Sequence, residues 1–196
     1  YQGDDFVGTD TICSMIYVYN ADDFDNDYGN KLPAVGFQLL QGPIVVGNSG
    51  EDRNKNGVDD AADFAIYENN LRGPGFINLP MTASYSPREH ITPRIGEAGG
   101  TLAWYHFFQG KDGNFTGKTY VDPNTGIETT YPLSGDPVTQ TGWVDGQVFP
   151  PDDRRMGFAS GPFNLAVGDT QEVVIAALAE IGADRLESIS LLRYYA

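Results

Sequence analysis

Apolar and polar positions along this chain alternate in short runs more often than they recur at helical spacing. Thr11-Ile-Cys-Ser-Met-Ile-Tyr-Val-Tyr19 is β-branched and aromatic and ends in a polar cluster from Asn20 to Asn30, which predicts a central strand followed by a turn. Ala34-Val-Gly-Phe-Gln-Leu-Leu-Gln41 predicts a second strand, stopped by Gly42-Pro43, and Ile44-Val45-Val46 continues beyond that break. Ala61 to Leu71 places Phe64, Ile66, Tyr67 and Leu71 at the spacing of a short helix. Residues 72–96 are rich in Gly and Pro and alternate only in part, so they read as irregular cover over the core.

Glu97 to Gln109 predicts a helix around Leu102, Trp104, Tyr105, His106, Phe107 and Phe108, weakened at its start by Gly99 and Gly100. Turn signals dominate from Gly110 to Asp145, and Asp122-Pro-Asn-Thr-Gly126 marks a hairpin. Met156-Gly-Phe-Ala159 is a further short strand. Gln171-Glu-Val-Val-Ile-Ala-Ala-Leu-Ala-Glu180 is the longest strand-like run of the second half. Asp184 then caps a terminal helix, with Glu187 three residues on and Leu186, Ile189 and Leu192 as its apolar face. The expected architecture is one mainly β domain over residues 1–196, β-sandwich or jelly-roll-like, with two or three short helices and a calcium loop.

Composition agrees with that class. The 196 residues are 40% hydrophobic and include 24 Gly and 12 Pro, enough to bury a sizeable core and too much Gly and Pro for a mainly helical protein. A net charge of −15, with no basic patch, sets nucleic acid and anionic membranes aside as partners. No apolar run reaches the length of a transmembrane helix. Tyr1 in place of Met suggests a mature product or an excised part of a longer precursor. The single cysteine, Cys13, lies in an apolar run and reads as a small buried hydrophobe, so stability must come from packing and metal.

The motif with the most chemistry runs from Asp52 to Asp63 and fits D-x-N-x-N-G-x-x-D-x-x-D, the spacing of an EF-hand-type loop. Asp52, Asn54 and Asn56 supply alternate side-chain oxygens, Gly57 permits the turn, Val58 offers its carbonyl, Asp60 acts directly or through water, and Asp63 closes the cage around Ca2+. A merely solvated acidic loop has no need of Gly at the sixth place among five oxygen side chains. Asp63 stands where regulatory loops carry a bidentate Glu, which points to affinity near ~10⁻⁴ to 10⁻³ M, that of extracellular modules. No second loop of this quality follows, so a permanent structural ion fits better than a sensor. Asp23, Asp25 and Asp27 form a second acidic cluster, but Gly29 is out of place for a metal loop and a solvated turn is the better reading.

No catalytic constellation is present. His90 and His106 are the only histidines, and neither H-E-x-x-H nor G-x-S-x-G occurs. Glu89, Glu97, Asp136 and Asp145 could be paired for glycoside hydrolysis, but sequence fixes no separation between them. Asp153-Arg154-Arg155 reads as a structural ion-pair cluster, and Asn114-Phe115-Thr116, a formal glycosylation acceptor, reads as a turn. These features describe a non-enzyme.

Leu133-Ser-Gly-Asp-Pro-Val-Thr-Gln-Thr-Gly-Trp143, Asp153-Arg-Arg155, Ser160 to Ile175 and Ala183-Asp-Arg-Leu-Glu-Ser-Ile189 resemble segments of large, poorly characterised secreted proteins of Bacteroidota-like bacteria, which often carry a type IX secretion sorting domain. Val35 to Ile44 and Asn78-Leu-Pro-Met81 extend the resemblance over most of the chain. It implies export to the medium or cell surface and residence in a longer product, and it carries no activity with it. Asp10-Thr11-Ile12 looks like the short O-glycosylation signal of such bacteria, at Thr11, and equally like an ordinary turn before a strand. The function expected is a secreted, calcium-stabilised structural or adhesive surface domain whose partners are copies of itself or other surface proteins, with assembly into oligomers or filaments. The alternative is a carbohydrate-binding or carbohydrate-degrading module, with glycans stacked on Trp104, Trp143 or tyrosines.

Overall fold

The computed structural model describes residues 4–47, 64–73, 75–87, 93–94, 96–97, 99–113 and 116–196. In chain order its elements are β1 (Asp5–Asp10), β2 (Met15–Asn20), β3 (Pro33–Gln41), β4 (Ile44–Val46), β5 (Ala65–Tyr67), β6 (Asn70–Arg72), β7 (Phe76–Asn78) and β8 (Ala83–Tyr85). They continue with α1 (Gly100–Phe108), β9 (Tyr120–Val121), β10 (Glu128–Thr129), β11 (Gly157–Ala159), β12 (Val174–Ile181) and α2 (Arg185–Tyr195). Over the described residues the protein is mainly β, with two short helices. Its largest sheet has four antiparallel strands in the order β1-β2-β3-β12, and the remaining strands form two-stranded ribbons, β4 with β7, β5 with β6, β8 with β11 and β9 with β10.

Strand alternation explains the core. Met15, Tyr17 and Tyr19 point to one face of β2 and stand opposite Gln38, Gly36 and Ala34 of β3. Helix α2 folds back over this face after β12 and seats Ile189 and Leu192 among Met15, Tyr17, Tyr19 and Ala34. Both helix residues are fully buried, each worth about 1.5–3 kcal/mol of apolar transfer. Asp184 starts α2 as its spacing predicts, its Oδ1 accepting from the backbone N–H of Leu186 at 2.9 Å and of Glu187 at 2.8 Å. Gly8 lies under the Tyr17 ring: a Cβ there would stand 2.2 Å from the ring, so only glycine lets β1 pair with β2 beneath that aromatic.

The opposite face carries Val7, Thr9, Ile16 and Leu39, all buried. The β8–β11 ribbon lies against its β1 end. Thr9 Oγ1 donates to the carbonyl of Pro132 at 3.0 Å and contacts the buried Ser84 hydroxyl at 2.9 Å.

Three expectations change. Thr11 to Ser14 forms the turn from β1 into β2 and not the start of a strand. Asp10 Oδ1 accepts from the N–H groups of Ile12 and Cys13 at 2.9 and 3.0 Å, and Ser14 takes a φ of 51°. The helix expected over Ala61 to Leu71 is, over its described residues, the hairpin β5–β6. Tyr67 stands opposite Asn70, and the two turn residues Glu68 and Asn69 have φ of 49° and 59°. Two successive left-handed residues give the twist a two-residue hairpin needs, and Asn78 holds the hairpin by accepting from Ile66 N–H at 2.8 Å and donating to Ile66 C=O at 2.9 Å. Residues 72–96, read as irregular, contain β7 and β8, each three residues long and too short for a period of two to register.

Candidate functional site

The proposed calcium ligands Asp52, Asn54, Asn56, Val58, Asp60 and Asp63 lie outside the described residues, as do His90 and Glu89. In the acidic cluster, Asp25 Oδ1 accepts from the N–H groups of Asp27 and Tyr28 at 2.7 and 3.0 Å, and Asp23 accepts from Arg185 Nε at 2.6 Å. Two of those three carboxylates are engaged within the turn or with α2.

A cavity of about 540 Å³ opens between α1, the β9–β10 ribbon and the loop from Pro132 to Arg154. Phe107, Tyr120, Trp143, Phe149 and Leu133 supply its apolar walls. Tyr120 and Trp143 meet edge to face with ring centres 6.4 Å apart. Burial, reinforced by the nearby Asp112 carboxylate, holds the Tyr120 phenol far above its ordinary range, so it remains a neutral hydroxyl. The Nε1–H of Trp143 and the hydroxyl of Ser86 are buried in the wall without hydrogen-bond partners among the described residues. Trp104, the other tryptophan considered as a sugar platform, belongs instead to a cluster with Tyr85, Phe107 and Phe108, and its Nε1–H donates to Pro93 C=O at 2.8 Å.

Asp145 and Arg154 form one side of the cavity. Arg154 donates through Nε to Oδ2 at 3.0 Å and through Nη2 to Oδ1 at 2.8 Å, and the same carboxylate accepts from the backbone N–H of Val7 at 3.0 Å and of Gly146 at 2.9 Å. The acceptor capacity of Asp145 is thereby spent on structure. It ties the Pro132–Arg154 loop to the outer edge of β1, where Thr9 N–H also donates to Leu133 C=O at 2.9 Å. Within Asp153-Arg154-Arg155, read as an ion-pair cluster, Arg154 pairs with Asp145.

The sheet's other edge is treated differently. β12 pairs with β3 on one side, and among the described residues no strand pairs with its other side. Beside that edge Phe37, Ile175, Ala177, Ala179 and Ile181 share one face of the sheet and are exposed, Ile175 and Ile181 each to 52%. Among the described residues the sheet therefore has one edge closed by a loop and one open edge flanked by uncovered apolar side chains.

The remaining chemistry candidates are otherwise engaged. Cys13 packs against the core of the α2 face, and burial, with Asp10 close by, raises its thiol above the ordinary value. Asp136 accepts from Arg193 Nη1 at 2.7 Å, and Glu97 pairs with Arg94 at the surface. Comparison with protein-family models, curated proteins and solved structures finds no match to this chain. No helix among the described residues is long and apolar enough to cross a membrane.

Proposed function

We propose that this chain is a secreted or cell-surface structural or adhesive domain, sandwich-like and stabilised by a calcium ion in the loop from Asp52 to Asp63, that associates with copies of itself through β12. The observation that carries the reading is the edge of β12 that no described strand pairs with, beside an exposed apolar face. An unpaired edge presents a row of backbone donors and acceptors to any incoming strand, and proteins that remain monomeric usually blunt such edges with Lys, Pro or a cover. β12 has a bulge near Val174 but no charge from Val174 to Ala179.

The strand's sequence is also self-compatible. Antiparallel pairing of two copies centred on Ala177 sets Glu180 opposite Val174 and Glu172 opposite Gly182, so no like charges face one another. That pairing is isologous and closes as a dimer, and further surfaces on the sheet can extend it. The net charge of −15 opposes casual aggregation and leaves the specific, locally neutral strand as the favoured contact.

A second reading, an extracellular carbohydrate-binding module, draws support from the aromatic cavity beside Trp143. Light scattering with calcium and with excess chelator, followed by electron microscopy, tests the assembly reading. Ordered oligomers or filaments that weaken when calcium is withdrawn support it. A monomer under both conditions leaves the binding-module reading as the better account.

A further inference from the structure

The cavity beside Trp143 has a chemistry that selects its occupant, and this selection stands independently of assembly through β12. Its volume, about 540 Å³, is that of a site for one small organic molecule. Its formal charges cancel, two carboxylates (Asp112 and Asp145) against two cations (Lys118 and Arg154), although the chain as a whole is strongly acidic. The most buried of these charges, Asp145 and Arg154, already satisfy each other, and Asp145 accepts two backbone N–H groups besides.

The polar groups left for a ligand are few: the Trp143 Nε1–H and the Ser86 hydroxyl in the wall, with Thr119 and Lys118 on one side. A pyranose brings several hydroxyls, and each one buried without a partner costs about 1–3 kcal/mol. Apolar ring surface gains about 25 cal/mol per Å² on entering such walls, and aromatic contacts add to that. The balance favours flat apolar rings over hydroxylated ones.

We infer that the cavity walled by Phe107, Tyr120, Leu133, Trp143 and Phe149 binds a neutral aromatic small molecule carrying at most one or two polar groups. The rings stack against Tyr120 and Trp143. The polar atom faces the side that holds Thr119 and Lys118, which also line the cavity. This narrows the binding-module reading to a ligand class other than a free sugar.

The test is a fluorescence titration of the full chain, in calcium, with N-phenyl-1-naphthylamine, a neutral amine carrying a naphthyl and a phenyl group that brightens in apolar surroundings. Val121 lines the cavity and is half exposed, so Val121→Trp fills the mouth without disturbing the core. The expected result is saturable binding of one dye per chain, weakened at least about tenfold in Val121→Trp. Ala177→Lys, on the open sheet face, should leave it unchanged, and methyl β-D-glucopyranoside should fail to displace the dye. Circular dichroism of each variant confirms that it folds, and Val148→Trp, at another exposed cavity position, replaces Val121→Trp if that variant does not. No saturable binding, binding indifferent to the filled mouth, or binding lost in Ala177→Lys would overturn the inference. Displacement by the glucoside would overturn it in favour of a sugar site, while leaving the broader binding-module reading intact.

Discussion

Asp145 grips Arg154 through two hydrogen bonds of 3.0 and 2.8 Å, with the two side chains only 4% and 3% exposed. The pair joins a long irregular loop to the outer edge of β1, because the same carboxylate accepts from Val7 N–H. Breaking a buried pair on one side strands the other charge, whereas the intact pair adds little over a well-packed apolar replacement.

Arg154→Met should therefore destabilise the protein by about 3–5 kcal/mol, because it leaves the buried Asp145 carboxyl without its cationic partner. The double variant Asp145→Leu, Arg154→Met should recover part of that loss, though not the bond to Val7. Urea unfolding of wild type, single and double variants measures both effects.

Arg193 binds α2 to two distant segments, donating to Asp136 at 2.7 Å and pairing with Asp10 at 3.1 Å. Partial burial alone would raise the Asp136 carboxyl, but hydrogen bonds from Arg193, Thr139 and Val138 N–H and the Arg193 charge hold it below its ordinary value of 3.8. A depressed carboxyl contributes stability that is present above the unfolded value and is lost as the pH falls through the folded one. Asp136→Asn should cost about 0.5–1 kcal/mol at pH 7, and its difference from wild type should shrink at a pH well below the ordinary carboxyl value of 3.8. Denaturant titrations at the two pH values check the sign.

Gly8→Ala places a methyl group 2.2 Å from the Tyr17 ring. The ring is held by Arg193, whose Nη2 donates to the Tyr17 hydroxyl at 3.0 Å, so it cannot swing away without loosening α2. A loss of about 1–3 kcal/mol is expected, read as a lower melting temperature.

Calcium should raise the melting temperature by mass action, since an ion bound only to the folded chain stabilises it. Asp52→Ala should reproduce most of the loss seen in excess EDTA. A calorimetric transition indifferent to chelation would remove the ion from the account.

What could be read in the sequence divides along physical lines. β3, β4, β12 and α2 announce themselves locally, through β-branched runs broken by Gly-Pro and through Asp184 at a cap. β1 does not, because Asp5-Phe-Val-Gly-Thr-Asp10 looks like loop until Gly8 is seen beneath Tyr17. The β5–β6 hairpin was hidden because Phe64, Ile66, Tyr67 and Leu71 also suit a helix, and the decisive turn at Glu68-Asn69 is a matter of backbone twist. The cavity gave no local signal at all: Phe107, Tyr120, Leu133, Trp143 and Phe149 come from α1, β9 and a loop, and only tertiary packing makes them neighbours. Trp143 was legible as an aromatic that could serve a ligand, but not as one that lines a cavity while Trp104 does not. The open edge of β12 was half legible: its apolar sequence marks a strand, while its place at the end of the sheet is a property of topology.

The claim that β12 is an assembly edge meets its most direct test in sedimentation velocity at high protein concentration, with calcium present, on wild type and Ala177→Lys. Lys at the centre of the open strand adds a charge to the exposed face without touching the pairing to β3. The account predicts discrete oligomers for wild type and a monomer of unchanged melting temperature for Ala177→Lys. A single monomeric species for wild type, or oligomers that persist unchanged in Ala177→Lys, would contradict it.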